Sequence, residues 1–238
     1  MATKKFDIPN IGEVAFVKRQ ASKNIRLSYT NKGELRVSLP LFATYKMGIS
    51  FVLQNVDWIN QHRPTANLLL QDGDRIGKAH RIFVSKSPSA SRPSTRVTAT
   101  KINLTMPTGQ AITDNVIQVC LEKAAHKALH KEASILLPQR LASLAQEFNF
   151  SYQSVDVKRL TSRWGSCNQL QQITLNTYLM QTPWHLIDYV ILHELTHTEH
   201  MDHSASFWQK LESTRPNARA LRKELKQYKT AITTVNPT

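Results

Sequence analysis

The stretch YVILHELTHTEHMDH, residues 189–203, carries the strongest pattern in the chain. His193 and His197 are four residues apart, so on a helix their side chains lie on one face, about 6 Å from each other. Both imidazoles can then reach one metal ion, and Glu194 projects near the open side of that ion, where it could hold a water molecule. This His-Glu-x-x-His arrangement is typical of zinc-dependent hydrolases, and it predicts a metal site at the end of an apolar helix.

A catalytic zinc ion needs a third protein ligand besides the two histidines of the motif. His200 lies seven residues after His193, about 10 Å farther along a continuous helix, which is too far for one ion. His203 can reach the ion if the helix ends soon after His197 and the chain folds back. The spacing from His197 to His203 fits the compact pattern H-E-x-x-H-x-x-G-x-x-H, although His200 stands in the place of its glycine. We therefore favour His203, and the other candidates that stay open are Glu199, Asp202 and, farther along the chain, Glu212.

Length and composition are those of a folded protein with a sizeable core. The chain has 238 residues, of which 41% are hydrophobic, enough for one large domain or two small ones. It contains no run of 18 apolar residues, so we expect no membrane span. Residues 1–7 have no apolar segment of the kind found in secretory signals. Cys120 and Cys167 are too few for a disulfide framework, so we expect a cytoplasmic location.

The charge of the chain is basic and unevenly distributed. The net charge is +14, and residues 1–110 hold 17 Lys and Arg against 6 Asp and Glu. Residues 111–238 hold 14 against 11, so most of the excess belongs to the first half. A basic surface attracts polyanions, which makes nucleic acid a possible partner. A solubilising excess without a specific partner is the alternative, and the chain has no zinc-finger spacing.

The first 106 residues predict a mainly β unit with one helix. Apolar and polar residues alternate on both sides of the turn Asn31-Lys32-Gly33, which indicates a hairpin with one buried face. The predicted elements are strands over 25–29 and 35–39, a helix over 44–62, and strands near 81–84 and 95–106.

From residue 107 the apolar spacing becomes mainly helical. Residues 111–148 have this spacing, and Pro138 is expected to break or kink the helix. Thr182 and Pro183 favour the start of the motif helix, because threonine caps helices and proline suits their first position. The other predicted elements are strands over 155–160 and 173–176 and helices over 204–213 and 217–231.

Several motifs together resemble the YgjP-like metallopeptidase family, which is similar to the SprT-like zinc proteases. The resemblance covers most of the chain, and these joint motifs are far more specific than the His-Glu-x-x-His pattern alone. They are Arg163-Trp164-Gly165-Ser166-Cys167, Ile173-Thr174-Leu175-Asn176, Asp188-Tyr189-Val190, His193-Glu194-Leu195-Thr196-His197, His203-Ser204 and Phe207-Trp208.

The resemblance implies a function and a set of site residues. His193, His197 and His203 would bind Zn²⁺, Glu194 would be the catalytic acid and base, and the substrate would be a peptide or protein. The expected fold class is α+β, with a mainly β unit over 1–106 and a zincin-like metallopeptidase domain over 107–238. That second domain is expected to be mainly helical, with a small antiparallel sheet whose edge strand beside the metal pairs with the substrate backbone.

Some roles and some competing functions stay open in the sequence. Arg163 and Tyr178 are candidates for stabilising the oxyanion, although no pattern fixes their positions. Cys167 is interpreted as a packing or turn residue rather than a nucleophile, because a water activated by zinc makes a thiol unnecessary. The alternative functions are a nucleic-acid-associated protein, including a protease that acts on DNA-bound proteins, and a metal-binding pseudoenzyme.

Overall fold

The computed structural model of the chain describes residues 3–9, 11–20, 22–30, 33–62 and 69–233. The chain forms two compact units, Met1–Leu68 and Leu69–Thr238. Strands dominate the first unit and long helices the second, so the predicted α+β class is confirmed. Within the described residues, no helix combines the length and the apolar character that a membrane crossing requires.

The described residues of the first unit form one four-stranded sheet and two short helices. The strands follow the order β1-β2-β4-β3, in which β2 and β4 are parallel and the other neighbours are antiparallel. The elements are β1 (Thr3–Ile8), β2 (Gly12–Arg19), β3 (Arg26–Tyr29), β4 (Leu35–Pro40), α1 (Tyr45–Gln54) and α2 (Val56–His62).

The hairpin predicted from alternating residues is present in this sheet as β3 and β4. Leu27 lies opposite Val37 and Tyr29 opposite Leu35, so the apolar positions share one face. Of the predicted turn, residues 31 and 32 lie outside the described residues. The predicted helix over 44–62 is two helices, which are separated at Asn55.

The second unit contains two sheets and four α-helices among its described residues. One sheet has the order β5-β6-β8-β7 and the other the order β10-β11-β9. The elements are β5 (Arg75–Ile76), β6 (His80–Ser87), β7 (Ser94–Val97), β8 (Lys101–Pro107), α3 (Asn115–Glu147), β9 (Ser154–Lys158), β10 (Gly165–Cys167), β11 (Gln172–Asn176), a 3-10 helix (Thr177–Gln181), α4 (Trp184–Thr196), α5 (Ala205–Thr214) and α6 (Ala218–Leu225).

The division between the units falls at residues 68 and 69, whereas the sequence predicted a boundary between residues 106 and 107. The difference arises because β5 to β8 share a hydrophobic core with α3. Ile82, Ile102 and Leu104 of this sheet belong to the same buried cluster as Leu129 of α3. Alternation along a strand predicts a buried face, but it does not identify the element that covers this face.

A buried glutamate joins the same sheet to α3. Glu132 is 5% exposed, and it accepts hydrogen bonds from the backbone N–H groups of Lys78, Ala79 and His80 at 2.7, 2.9 and 3.1 Å. The imidazole of His80 contacts the same carboxylate. Burial by itself would raise the pKa of Glu132, but the hydrogen bonds from His80 and from the two preceding N–H groups bring it below its ordinary value.

We expect Glu132→Ala to lower the free energy of unfolding by about 3 kcal/mol, because it leaves the N–H groups of Lys78, Ala79 and the buried His80, and the buried imidazole of His80, without their acceptor. Urea unfolding at neutral pH measures the change. The control is Glu122→Ala on the same helix, whose side chain is 63% exposed and whose loss should cost less than about 0.5 kcal/mol. Equal effects of the two substitutions would contradict the role of Glu132.

The same carboxylate also makes stability depend on pH. Its pKa is lower in the folded chain than in the unfolded chain, where it is about 4.3. Its contribution is therefore fully present above that unfolded value, and it is lost as the pH falls through the lower folded value.

Pro138 was predicted to break or kink the helix, and it does not break it, because α3 continues through this residue. Ala133, Leu137, Leu141 and Leu144 are all buried on the face that α3 turns to the core. Burial of this continuous face outweighs the one backbone hydrogen bond that proline removes.

The small sheet of the second unit is mixed rather than antiparallel. β10 and β11 form an antiparallel pair, but β9 lies parallel to β11 on its other side. The chain therefore leaves β9, forms β10 at the edge, and returns as β11 between the two. β9 and β10 are the edge strands of this sheet, and β10 is the one that packs against α4, so it takes the position expected of the edge strand beside the metal.

Candidate metal centre

The helix that carries the motif, α4, is held at its beginning by charged side chains from elsewhere in the second unit. Asp188 accepts two hydrogen bonds from the guanidinium of Arg140 on α3, at 2.7 and 2.8 Å. The ammonium of Lys78 donates to the carbonyl oxygen of Thr182 at 2.6 Å. Thr182 does not cap α4 as predicted, since its hydroxyl donates to the carbonyl oxygen of Leu179. These contacts fix where the helix starts and which face it turns to the core.

The end of α4 reverses the chain directly after the motif. The backbone N–H and the hydroxyl of Thr198 both donate to the carbonyl oxygen of Leu195, at 3.0 and 2.7 Å. The N–H of His200 donates to the carbonyl oxygen of Thr196 at 2.9 Å. This turn replaces further helix and leads the chain back, which brings His203 beside the motif. The predicted end of the helix soon after the motif is confirmed.

Three histidines meet at this turn. The potential ligand atoms of His193, His197 and His203 all lie within 4.8 Å of one another. The Nε2 atoms of His193 and His203 face each other at 3.2 Å. Two nitrogens that bind one tetrahedral zinc at about 2.0–2.1 Å lie roughly 3.3 Å apart. The donor set therefore fits a single ion of this type.

The imidazoles are prepared for metal binding by their hydrogen bonds and their burial. The Nδ1 of His197 donates to the carbonyl oxygen of His200 at 3.0 Å, which leaves Nε2 as the atom with the free lone pair. Burial, together with the positive charges of His197, His203 and Arg222, lowers the pKa of His193 to about 3. Burial also lowers the pKa of His197. Both rings are therefore neutral at physiological pH, which is the form that binds metal.

An aromatic side chain that the spacing argument did not identify lies against all three imidazoles. Phe207 of α5 is fully buried, and its ring centroid is 4.9, 4.6 and 4.8 Å from those of His193, His197 and His203. The Nδ1 of His193 is buried with no hydrogen-bond partner among the described residues, so packing against Phe207 and Tyr189 orients this ring. The sequence signal was present in the Phe207-Trp208 motif, but only the fold assigns it to the site.

Glu194 lies in close contact with a glycine of β10. A Cβ atom built on Gly165 would lie 2.7 Å from both Cγ and Oε1 of Glu194, closer than such atoms approach in proteins. Glu194 is 5% exposed, and burial raises its pKa to about 8, against the opposing charge of Arg163. Both the charged and the neutral forms are then accessible near neutral pH, which suits a group that accepts a proton and later returns it.

The cysteine of the same strand is not a reactive thiolate. Burial, and then the charge of Glu194, raises the pKa of Cys167 to about 11. The thiol is therefore protonated at neutral pH and a poor nucleophile. Its sulfur contacts the carbonyl oxygen of Asn168, which agrees with the interpretation of Cys167 as a packing or turn residue.

A cleft of about 450 Å³ opens directly onto His193, Glu194 and His203. One wall consists of Trp164 and Gly165 at the edge strand β10. A second wall comes from α6 and the residues that follow it, and α4 forms the floor. The candidate centre thus lies in a cleft whose two walls come from distant parts of the sequence.

The other candidate ligands have different partners. A lysine nitrogen lies 3.0 Å from Glu199, and backbone N–H groups donate to Asp202 at 3.1 Å and to Glu212 at 3.3 Å. Within the described part of the chain, neither these acids nor His200 belongs to the histidine cluster.

The two candidates for the oxyanion lie outside the cleft. Tyr178 is buried in the core, where its hydroxyl is 3.5 Å from Nδ1 of His126. Arg163 lines a neighbouring groove with Ser166 and Cys167 on the other side of β10. Its charge still reaches Glu194, but it does not line the wall that faces the histidines.

Three clustered imidazoles beside a buried glutamate, on an α+β scaffold, are features of a metal-dependent hydrolase. The sequence matches the family model described as "YgjP-like, metallopeptidase domain" over residues 23–228. The chain belongs to the YgjP-like metallopeptidase family, as the resemblance of its motifs predicted. It is accordingly a metallopeptidase, a hydrolase that acts on peptides or proteins with the help of a metal ion.

Two solved structures of metallopeptidase zymogens are similar to part of the chain. Abylysin of Pyrococcus abyssi is 20% identical, with a TM-score of 0.35, over 39% of this chain and 94% of its own. Jannalysin of Methanocaldococcus jannaschii is 18% identical, with a TM-score of 0.35, over 38% of this chain and 94% of its own. A search of curated proteins finds no significant match.

Proposed function

We propose that this metallopeptidase depends on zinc, that His193, His197 and His203 bind the ion, and that Glu194 is the general base and acid. The observation that supports the proposal is the convergence of three imidazoles within 4.8 Å beside a buried carboxylate, at the floor of an open cleft. Three protein ligands leave one position of a tetrahedral ion free, as a catalytic site requires.

Zinc is the metal that this donor set suits best. Neutral imidazoles are ligands of intermediate softness that favour zinc over magnesium or calcium, which prefer oxygen. Other transition metals also accept three imidazoles, so the metal content of the purified protein is the direct measurement of its identity.

The residues around the candidate centre have different roles in peptide hydrolysis. Zinc bound there would supply a Lewis acid that acidifies water and polarises the peptide carbonyl. Glu194 takes the proton of the attacking water and delivers it to the leaving amine nitrogen. The edge strand β10 offers its unpaired backbone groups to an extended substrate, which would add a strand beside the cleft. Burial of Glu194 keeps bulk water away from the proton that it transfers.

The identity of the third zinc ligand, which we propose to be His203, can be tested by substitution. We expect His203→Ala to weaken zinc binding at least about 100-fold and to abolish peptide cleavage, because two imidazoles alone hold the ion poorly. Zinc affinity, measured by competition with a chromophoric chelator, tests this expectation alongside cleavage of an unstructured protein substrate such as casein.

The matched control is His200→Ala, three residues away in the same turn. Its imidazole lies outside the cluster, and its carbonyl, which accepts from His197, is retained in the variant. It should therefore keep both zinc and activity. Loss of zinc in His200→Ala and not in His203→Ala would refute the proposed ligand set, and absence of cleavage by the zinc-loaded wild type would refute the function.

Contact with nucleic acid stays a prediction. It depends on the excess of basic residues in the sequence over residues 1–110, where Lys and Arg outnumber Asp and Glu by 17 to 6. A cytoplasmic location likewise stays an expectation from the sequence.

A further inference from the structure

The wall of the cleft formed by α6 is basic. Arg222 and Lys226 both line the cleft, and they are four residues apart, at the spacing that places side chains on one face of a helix. Both side chains are exposed, whereas Leu225 between them is buried and forms an apolar part of the same wall. Two cations therefore border the space that a substrate must enter.

The position of Arg222 relative to the histidines is fixed by an aromatic contact. Its guanidinium carbon lies 5.5 Å from the ring centroid of Trp208, and that ring lies 6.4 Å from the ring of His203. Trp208 is itself almost fully buried, so it is a rigid base for this contact. Arg222 is thus held at the rim of the cleft on the side of the third candidate ligand.

These cations have no acidic partner of their own. Among the described residues, no carboxylate lies within ion-pair distance of Arg222 or Lys226, whereas Glu224 on the same helix pairs with His185 at 2.8 Å. Of the described residues that line the cleft, Glu194 is the only acid, and the chemistry of the site uses it. The wall therefore has positive charge that no carboxylate in the described part of the chain pairs with.

We propose that Arg222 and Lys226 form a subsite for a carboxylate of the substrate. The proposal rests on the metallopeptidase function above and adds a preference to it. A peptide offers carboxylates from two sources, its C-terminal α-carboxylate and the side chains of Asp and Glu. A guanidinium binds either one through two parallel hydrogen bonds, and the lysine adds a second charge. Leu225 and the ring of Tyr228 supply apolar surface for the neighbouring part of the peptide.

The size of the effect follows from the exposure of the two side chains. Exposed ion pairs contribute little in water, so we expect a preference of about fivefold in Kd rather than an absolute requirement. Because solvent ions screen such pairs, the preference should decrease steadily as salt is added.

The test measures peptide binding separately from cleavage. The full-length chain with Glu194→Gln, loaded with zinc, holds dye-labelled hexapeptides without cleaving them, and fluorescence anisotropy gives Kd. One peptide has a free C-terminal carboxylate and no acidic side chain, and its counterpart has a C-terminal amide. The peptides of a third set all have a C-terminal amide and a single Glu, placed at a different position in each peptide. Each is compared with the same peptide in which Gln replaces this Glu.

At least one type of carboxylate should bind about fivefold more tightly than its neutral counterpart, and Arg222→Gln should remove the difference. The control is Lys223→Gln, which removes the same charge from the same helix at a position that does not line the cleft. Tighter binding of the peptide with a free C-terminus would identify the C-terminal carboxylate as the ligand. Tighter binding of a peptide with Glu than of its Gln counterpart would identify a side-chain carboxylate.

Three results would overturn the subsite. The first is an equal Kd for charged and neutral peptides. The second is an equal effect of Arg222→Gln and Lys223→Gln on these Kd values. The third is that Arg222→Gln weakens the binding of neutral and charged peptides by the same factor. The last would assign Arg222 to the structure of the wall. The proposed function fails differently, when the zinc-loaded wild type cleaves none of these peptides or casein, whatever their binding.

Discussion

Glu194→Gln is expected to lower kcat/KM for peptide cleavage by about 100- to 10,000-fold while the protein keeps its zinc. Glutamine has the same size and fits against Gly165 as glutamate does, but its amide cannot take a proton from water. The three histidines are unchanged, so metal affinity should stay close to that of the wild type. Steady-state cleavage of a fluorogenic peptide and metal analysis of the same sample give the two quantities.

The control for this substitution is Glu199→Gln, five residues farther along. That carboxylate is exposed, pairs with Lys210 and lies outside the histidine cluster, so its loss should leave kcat/KM almost unchanged. Full activity of Glu194→Gln with full zinc content would eliminate the proposed acid and base. Loss of zinc together with activity would instead assign Glu194 to the metal centre, because activity would then report only the missing ion.

Much of the candidate centre could be predicted because its geometry is local. Helical spacing brings His193 and His197 together, and an early helix end lets His203 return over six residues. Each step uses distances that are fixed by backbone geometry within one short stretch. The absence of the pattern's glycine does not prevent the return, because Thr198 closes the turn with its own hydroxyl.

The walls of the cleft could not be predicted in the same way. β10 and α6 are more than 50 residues apart in the sequence, and no periodicity relates them. Gly165 and Arg222 have ordinary interpretations by themselves, a flexible residue and a solvated charge. They acquire roles only because β10 and α6 both pack against α4 and line the same cleft. The compact units divide at residues 68 and 69 for a related reason, since Glu132 and the backbone groups that it binds are separated by about 50 residues in the sequence.

Gly165→Ala is expected to lower kcat/KM by about 100-fold without loss of zinc. The added methyl group would lie 2.7 Å from Glu194, so the carboxylate must move by several tenths of an ångström or more. A small displacement of a catalytic group lowers the reaction rate by about this factor, because proton transfer requires a hydrogen-bonded geometry. The three atoms nearest to the added methyl group all belong to Glu194 and none to a histidine, so zinc affinity should stay near the wild-type value. Overpacking against a buried side chain should also lower the free energy of unfolding by about 1–3 kcal/mol.

The control is Gly109→Ala, the same change at a position where an added Cβ has no atom within 4 Å. It should leave both activity and stability close to those of the wild type. A further variant separates displacement from general damage, since Gly165→Ala combined with Glu194→Ala removes the Cγ, Cδ and Oε1 atoms that the methyl group would overlap. If the methyl group acts through Glu194, the effects of the two substitutions will not add, because residues in direct contact are energetically coupled. Strict additivity of the two losses, or full activity of Gly165→Ala, would mean that the edge strand does not position the acid, and the glycine of the Arg-Trp-Gly-Ser-Cys motif would then serve the strand alone.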